Sequence, residues 1–216
     1  MAIRAVISDF GGVLTTPLLR SFAAVQDHTG ISLEALGRAL EQIAAREGKN
    51  PLFELEKGQL TEAQFLDLLG RELRGILGHE PELHRFREVY FEALEPNEPM
   101  VEVMRAARTS GYRMGLLTNN VREWEPLWRS MVPVDEIFEV VVDSAFVGLR
   151  KPEAGIYELT LERMRERVGT ELDFADCLFV DDVEVNCEAA RELGMRVVRF
   201  RDNEQAVAEL RDALDL

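Results

Sequence analysis

The spacing of apolar and polar positions changes period along this chain. Ala5-Val6-Ile7-Ser8 is too short a run for a helix and is rich in β-branched residues, so the stretch 5–13 reads as a buried strand ending on Asp9, with Gly11 and Gly12 in the turn beyond it. Thr15-Thr16-Pro17 breaks that pattern, and up to about Asn97 only helical periodicity follows. The segments 18–28, 32–46 and 81–94 carry it, with glycines at 30, 48, 75 and 78 as separators. Asn50-Pro51 reads as an N-cap and first helical residue, and Thr61-Glu62-Ala63-Gln64 as a capping box opening the stripe Phe65, Leu68, Leu69 and Leu73. From Pro99 the chain alternates. Helices over 99–109, 121–131, 152–168, 183–193 and from about 204 are interleaved with strands at 112–117, 138–142, 177–180 and 195–200. Nearly continuous apolar strands between helices predict an α/β fold, a Rossmann-like parallel sheet covered on both faces. Residues 1–14 and 98–216 form the expected core, and 15–97 a helical insertion.

Composition narrows the function. The 216 residues carry a formal net charge of -15, which opposes binding to nucleic acid or an anionic membrane. No apolar run approaches a membrane span and no signal-peptide pattern opens the chain, so a cytoplasmic location is expected. Cys177 and Cys187 read as reduced core thiols. His28, His79 and His84 lie in the helical insertion without a ligand cluster, which excludes histidine-based zinc chemistry.

Four expected strands end in polar residues: Asp9, Thr118-Asn119, Asp143-Ser144 and Asp181-Asp182. In a parallel sheet these ends share one edge, where open α/β sheets bind their ligands. Three converging carboxylates, Asp9, Asp181 and Asp182, repel one another unless a cation or a proton neutralises them. With a backbone carbonyl they form an all-oxygen set that suits Mg²⁺.

Four ordered motifs carry a family resemblance: Ser8-Asp9-Phe10-Gly11-Gly12-Val13, Leu116-Leu117-Thr118-Asn119-Asn120, Gly148-Leu149-Arg150-Lys151-Pro152 and Phe179-Val180-Asp181-Asp182-Val183-Glu184-Val185-Asn186. The set resembles the haloacid dehalogenase-like hydrolases with a helical cap, and most nearly the phosphatase-like domains of soluble epoxide hydrolases and small sugar-phosphate phosphatases. The resemblance implies a phosphatase of a small phosphorylated metabolite in which Asp9 is the nucleophile and forms an aspartyl-phosphate. It implies Mg²⁺ held by Asp9, the Gly11 carbonyl and Asp182, with Asp181 as a further or outer ligand. Thr118, Asn119, Gly11 and Lys151 would bind the phosphoryl group, Thr118 and Lys151 stabilising its charge in the reaction. Asn186 would orient Lys151 and the Asp pair.

One position departs from the family. Most relatives of this kind carry an acid two residues after the nucleophile, and here that residue is Gly11. A positioned general acid is worth about 10²–10⁴ in rate. Its absence calls for slow turnover, a good leaving group or a substitute acid from the cap. Two alternatives stay open: a dehalogenase, whose halide needs no proton, and a catalytically silent binding protein. Trp124 and Trp128, one helical turn apart, read as packing residues, and Glu153, Glu158 and Glu162 as a solvated helix face.

Overall fold

In the computed structural model, which describes residues 2–169 and 171–216, five parallel strands form one sheet. They are β1 (Ala5–Ser8), β2 (Arg113–Thr118), β3 (Val140–Asp143), β4 (Cys177–Asp181) and β5 (Arg196–Arg199), in the order β3-β2-β1-β4-β5. The central strand β1 pairs Ala5 with Arg113 on one side and with Cys177 on the other, and all four of its residues are buried. Alternation in β1 sends Val6 to one face and Ile7 to the other. On Val6's side the sheet packs against α6 (Glu98–Thr109), α7 (Glu125–Met131), α8 (Val134–Ile137) and α12 (Asn203–Leu214). On Ile7's side it packs against α10 (Ala154–Val168) and α11 (Glu184–Glu192). Both faces are thus covered, which is why the strands lack polar alternation.

Five further helices occupy the segment between β1 and α6: α1 (Leu18–Thr29), α2 (Leu33–Glu47), α3 (Pro51–Glu56), α4 (Glu62–Leu77) and α5 (Phe86–Glu92). Their apolar faces share a second core around Val25, Leu36, Leu69, Leu73 and Phe86. Local signals set their limits. Ser32 accepts from Ala35 N, Asn50 from Leu52 N, and Thr61 and Gln64 close a reciprocal capping box. The chain leaves and re-enters the sheet through one paired crossing: Thr16 N donates to Glu95 O (2.8 Å) and Asn97 N to Leu14 O (2.9 Å).

Several expected limits move. The helix expected over 81–94 covers Phe86–Glu92 alone, because a turn from Phe86 N to Leu83 O tucks Leu83 into the second core. Gly75 lies inside α4 and separates nothing. Strand β3 starts at Val140, later than expected, because Phe138 N closes α8 on Val134 O. Arg122–Trp124 is a 3₁₀ turn ahead of α7, and the short α9 (Ser144–Val147) continues directly from β3, capped by Asp143. No helix among the described residues is long and apolar enough to cross a membrane.

Candidate active site

All polar strand ends lie on one edge because every strand is parallel. Asp9 directly follows β1, held by its N–H to Val180 O (2.8 Å). Its Oδ1 accepts from Phe10 N (2.7 Å) and from Lys151 Nζ (2.8 Å). Among the described residues nothing donates to Asp9 Oδ2. Lys151, 1% exposed, also donates to Asp181 Oδ2 (2.6 Å), so one ammonium bridges two carboxylates. Asp181 is saturated: Asn186 Nδ2 donates to both of its oxygens (3.1 Å each) and Val183 N to Oδ1 (2.8 Å). Asp182 is partly exposed, and among the described residues no other side chain donates to it. Asp9, Asp181 and Asp182 each present an oxygen within 4.8 Å of the other two.

Gly12 makes this approach possible. Its φ is +79°, and a Cβ there would stand 2.5 Å from Asp182 Oδ2, so any other residue would push that carboxylate out of the cluster. Gly11 is different: its φ is not in the left-handed region, and the space a Cβ would enter holds Leu18 Cδ1 at 3.2 Å.

Three carboxylates and one lysine leave excess negative charge in a site with little water. Burial pushes Asp9 up to about 8, Lys151 pulling it back while Asp181 and Asp182 push it further. Burial and Asp181 likewise raise Asp182. Burial alone would depress Lys151, but Asp181 and Asp9 outweigh it and hold the ammonium charged. A divalent cation would supply the charge this set lacks, and hard oxygen donors fit Mg²⁺.

The other expected residues fall around this cluster. Thr118, 1% exposed, ends β2 beside Asp9. Asn119 is tied to the backbone of Lys151 on both sides, its Nδ2 donating to Lys151 O (3.0 Å) and its Oδ1 accepting from Lys151 N (2.8 Å). Asp143 stands apart, capping α9 through Ala145 N (2.9 Å). Trp128 is buried against Phe10, whereas Trp124 Nε1 donates to Glu62 Oε1 (2.8 Å).

Between this edge and the helical layer lies a cavity of about 290 Å³. Phe10, Gly11, Thr118 and Asn119 form its floor, and Leu18, Phe22, Leu40, Phe65, Leu69 and Tyr90 are among its walls. Among the described residues no lysine, arginine or histidine lines it, and Glu56 and Glu62 are its acidic residues. Sequence reasoning missed Glu56, Leu18 and Tyr157, whose hydroxyl donates to Asn186 O (3.0 Å) beneath the cluster. Each is brought there by tertiary packing, which leaves no local signal.

The haloacid dehalogenase-like hydrolase profile matches residues 3–194. Among curated relatives, bifunctional epoxide hydrolase 2 of Rattus norvegicus is 28% identical over 97% of this chain, which spans 38% of that protein's length. Sesquiterpene phosphatase astK of Aspergillus oryzae is 26% identical over 96% of this chain and 95% of its own. Among solved structures, a HAD family enzyme of Bacteroides thetaiotaomicron in complex with magnesium and inorganic phosphate aligns with a TM-score of 0.62 at 22% identity, covering 93% of this chain and 95% of that one. The profile takes in β1 with Asp9, the helical layer and the paired aspartates in a single match, and on that basis the chain belongs to the haloacid dehalogenase-like hydrolases.

Proposed function

We propose that the protein is a Mg²⁺-dependent phosphomonoesterase that acts through Asp9 on a small phosphorylated molecule with an apolar organic part. The observation that carries this reading is the Asp9, Lys151, Asp181 and Asp182 cluster, whose Asp9 directly precedes Phe10 and Gly11 in the lining of an apolar cavity. Asp9 Oδ2 is the free oxygen for attack on phosphorus. Lys151 and the backbone N–H groups around Thr118 neutralise charge on the transferring group, acting in a site where little water screens them. Asp9, Asp182 and the Gly11 carbonyl would hold Mg²⁺, which when bound supplies electrostatic stabilisation of the phosphoryl oxygens. Asp181 serves chiefly to hold Lys151, since its oxygens are already occupied. Asn119 places the Lys151 backbone and presents less of itself to substrate than the family resemblance implies. Residues 15–97 act as the cap that closes over the substrate and excludes water. The names and contents of the relatives, a sesquiterpene phosphatase and a magnesium and phosphate complex, support phosphate chemistry and an apolar substrate.

Dehalogenation of a haloacid fits less well, because such a substrate brings its own carboxylate and no cation lines the cavity to receive it. A cytoplasmic setting accords with the free, buried Cys177 and Cys187. The test is phosphate release from a panel of monoesters with and without Mg²⁺. The expected result is metal-dependent turnover favouring prenyl, alkyl and aryl phosphates over sugar phosphates. Halide release from haloacids without metal would favour the dehalogenase, and binding without turnover the silent protein.

A further inference from the structure

The phosphatase reading leaves the leaving-group oxygen without a proton source, because Gly11 stands where relatives carry an acid. The core cannot supply one from that position, since Leu18 of α1 fills the space beside Gly11. Other groups that could carry a proton line the same cavity: Glu62, Tyr90 and Glu56. Glu62 has both oxygens engaged, Oε1 by Trp124 Nε1 (2.8 Å) and Oε2 by Arg87 (2.8 Å). Tyr90 is pushed well above the ordinary phenol range by burial. Glu56 differs from both. Its Oε2 accepts from Arg150 Nε (2.6 Å), and among the described residues nothing bonds its Oε1.

We propose that Glu56, at the end of α3, is the cap-borne general acid that replaces the residue missing at Gly11.

Its placement is fixed from the core. Ser144 Oγ donates to Glu56 O (2.6 Å), and Gly58 packs so tightly on the Ala145 carbonyl that a Cβ would lie 2.2 Å from it. The charged and titratable groups around the carboxyl are Arg150 and Lys151 from the loop before α10 and Tyr90 from α5. Burial raises its pKa against the pull of Arg150 and Lys151, which favours the protonated form an acid needs. In the first step Asp9 bonds to phosphorus, and the P–O ester bond breaks with its electron pair on the leaving oxygen. Glu56 delivers its proton to that oxygen. In the second step water attacks the phosphorus of the aspartyl-phosphate, Asp9 departs as carboxylate, and the water's proton returns to Glu56.

The inference rests on the phosphatase reading, and a leaving-group comparison separates the two. With Mg²⁺ present, single-turnover alcohol release is followed for hexyl phosphate and 4-nitrophenyl phosphate. Glu56→Gln is expected to slow hexyl phosphate by about 10²-fold and the aryl ester by less than about tenfold, since nitrophenolate leaves without a proton. Arg150→Met removes a cation that favours the ionised carboxyl, so the alkaline limb of the hexyl phosphate pH profile should move to higher pH. Thermal melts of both variants check the fold. Equal slowing of both esters, no slowing of hexyl phosphate, or an alkaline limb unmoved by Arg150→Met would overturn the role of Glu56 while leaving the phosphatase standing. No Mg²⁺-dependent turnover of either ester by the wild type would overturn both.

Discussion

Gly11 and Leu18 show how one side chain can exclude another. Because the backbone at Gly11 already suits an L residue, Gly11→Asp is limited by Leu18 alone, whose Cδ atoms stand 3.2 and 3.3 Å from the added Cβ. Gly11→Asp should therefore raise the hexyl phosphate rate less than about tenfold, whereas Gly11→Asp with Leu18→Ala should approach the roughly 10² of a positioned acid. Single-turnover rates of the two variants check this. Asp143 gives a separate prediction. Burial raises it from the ordinary value of 3.8 to about 6. Between those values the folded protein holds a proton that the unfolded chain has lost, so this residue's contribution to stability falls as pH rises through that window. The loss is up to about 3 kcal/mol, an upper limit. Asp143→Asn keeps a cap on α9 but removes the titration. Wild type should gain on the variant as pH drops from 7 to 4.5, as measured by urea unfolding. At this scale the convergence of Asp9, Asp181 and Asp182 was legible from their strand-end positions, whereas Lys151 entered only through the family resemblance. The sequence hid Glu56, Leu18 and Asp143's isolation, which depend on what packs against them.

Helices and strands were legible where capping chemistry is local. Asn50 and Thr61 start helices as their spacing predicts, and nearly continuous apolar runs mark the strands. The short α8 and α9 were not legible, because four residues carry no helical period and their apolar side chains serve the sheet. The same scale contains the contact that joins the loop after α3 to the core. The loop after α3 meets α9 through Gly58, with φ +65°, and Arg122 also donates to Ala145 O (2.6 Å). Gly58→Ala would set a Cβ against that carbonyl, at a cost of about 1–3 kcal/mol from strain and overpacking. The expected outcome is a lower Tm together with a slower hexyl phosphate reaction, because the loop follows directly on Glu56 at the end of α3. Unchanged Tm and rate would show that the loop yields freely.

For the whole molecule, the change from helical to alternating period announced the parallel α/β architecture. The order of strands was not legible, because nothing local tells β1 to lie between β2 and β4. That order brings Asp9 against Lys151 and Asp181 and assembles the site. Since one lysine does not balance three carboxylates, Mg²⁺ should bind the folded state and raise Tm by mass action, and Asp182→Ala should abolish the shift. The central claim is a phosphoryl group passing through Asp9. The most direct measurement is peptide mass analysis after rapid acid quench of 4-nitrophenyl phosphate turnover with Mg²⁺. The account predicts one phosphoryl group on the peptide containing Asp9, formed before phosphate is released and absent when the metal is chelated. Turnover with no phosphoryl group on that peptide, or undiminished phosphate release by Asp9→Ala, would contradict it.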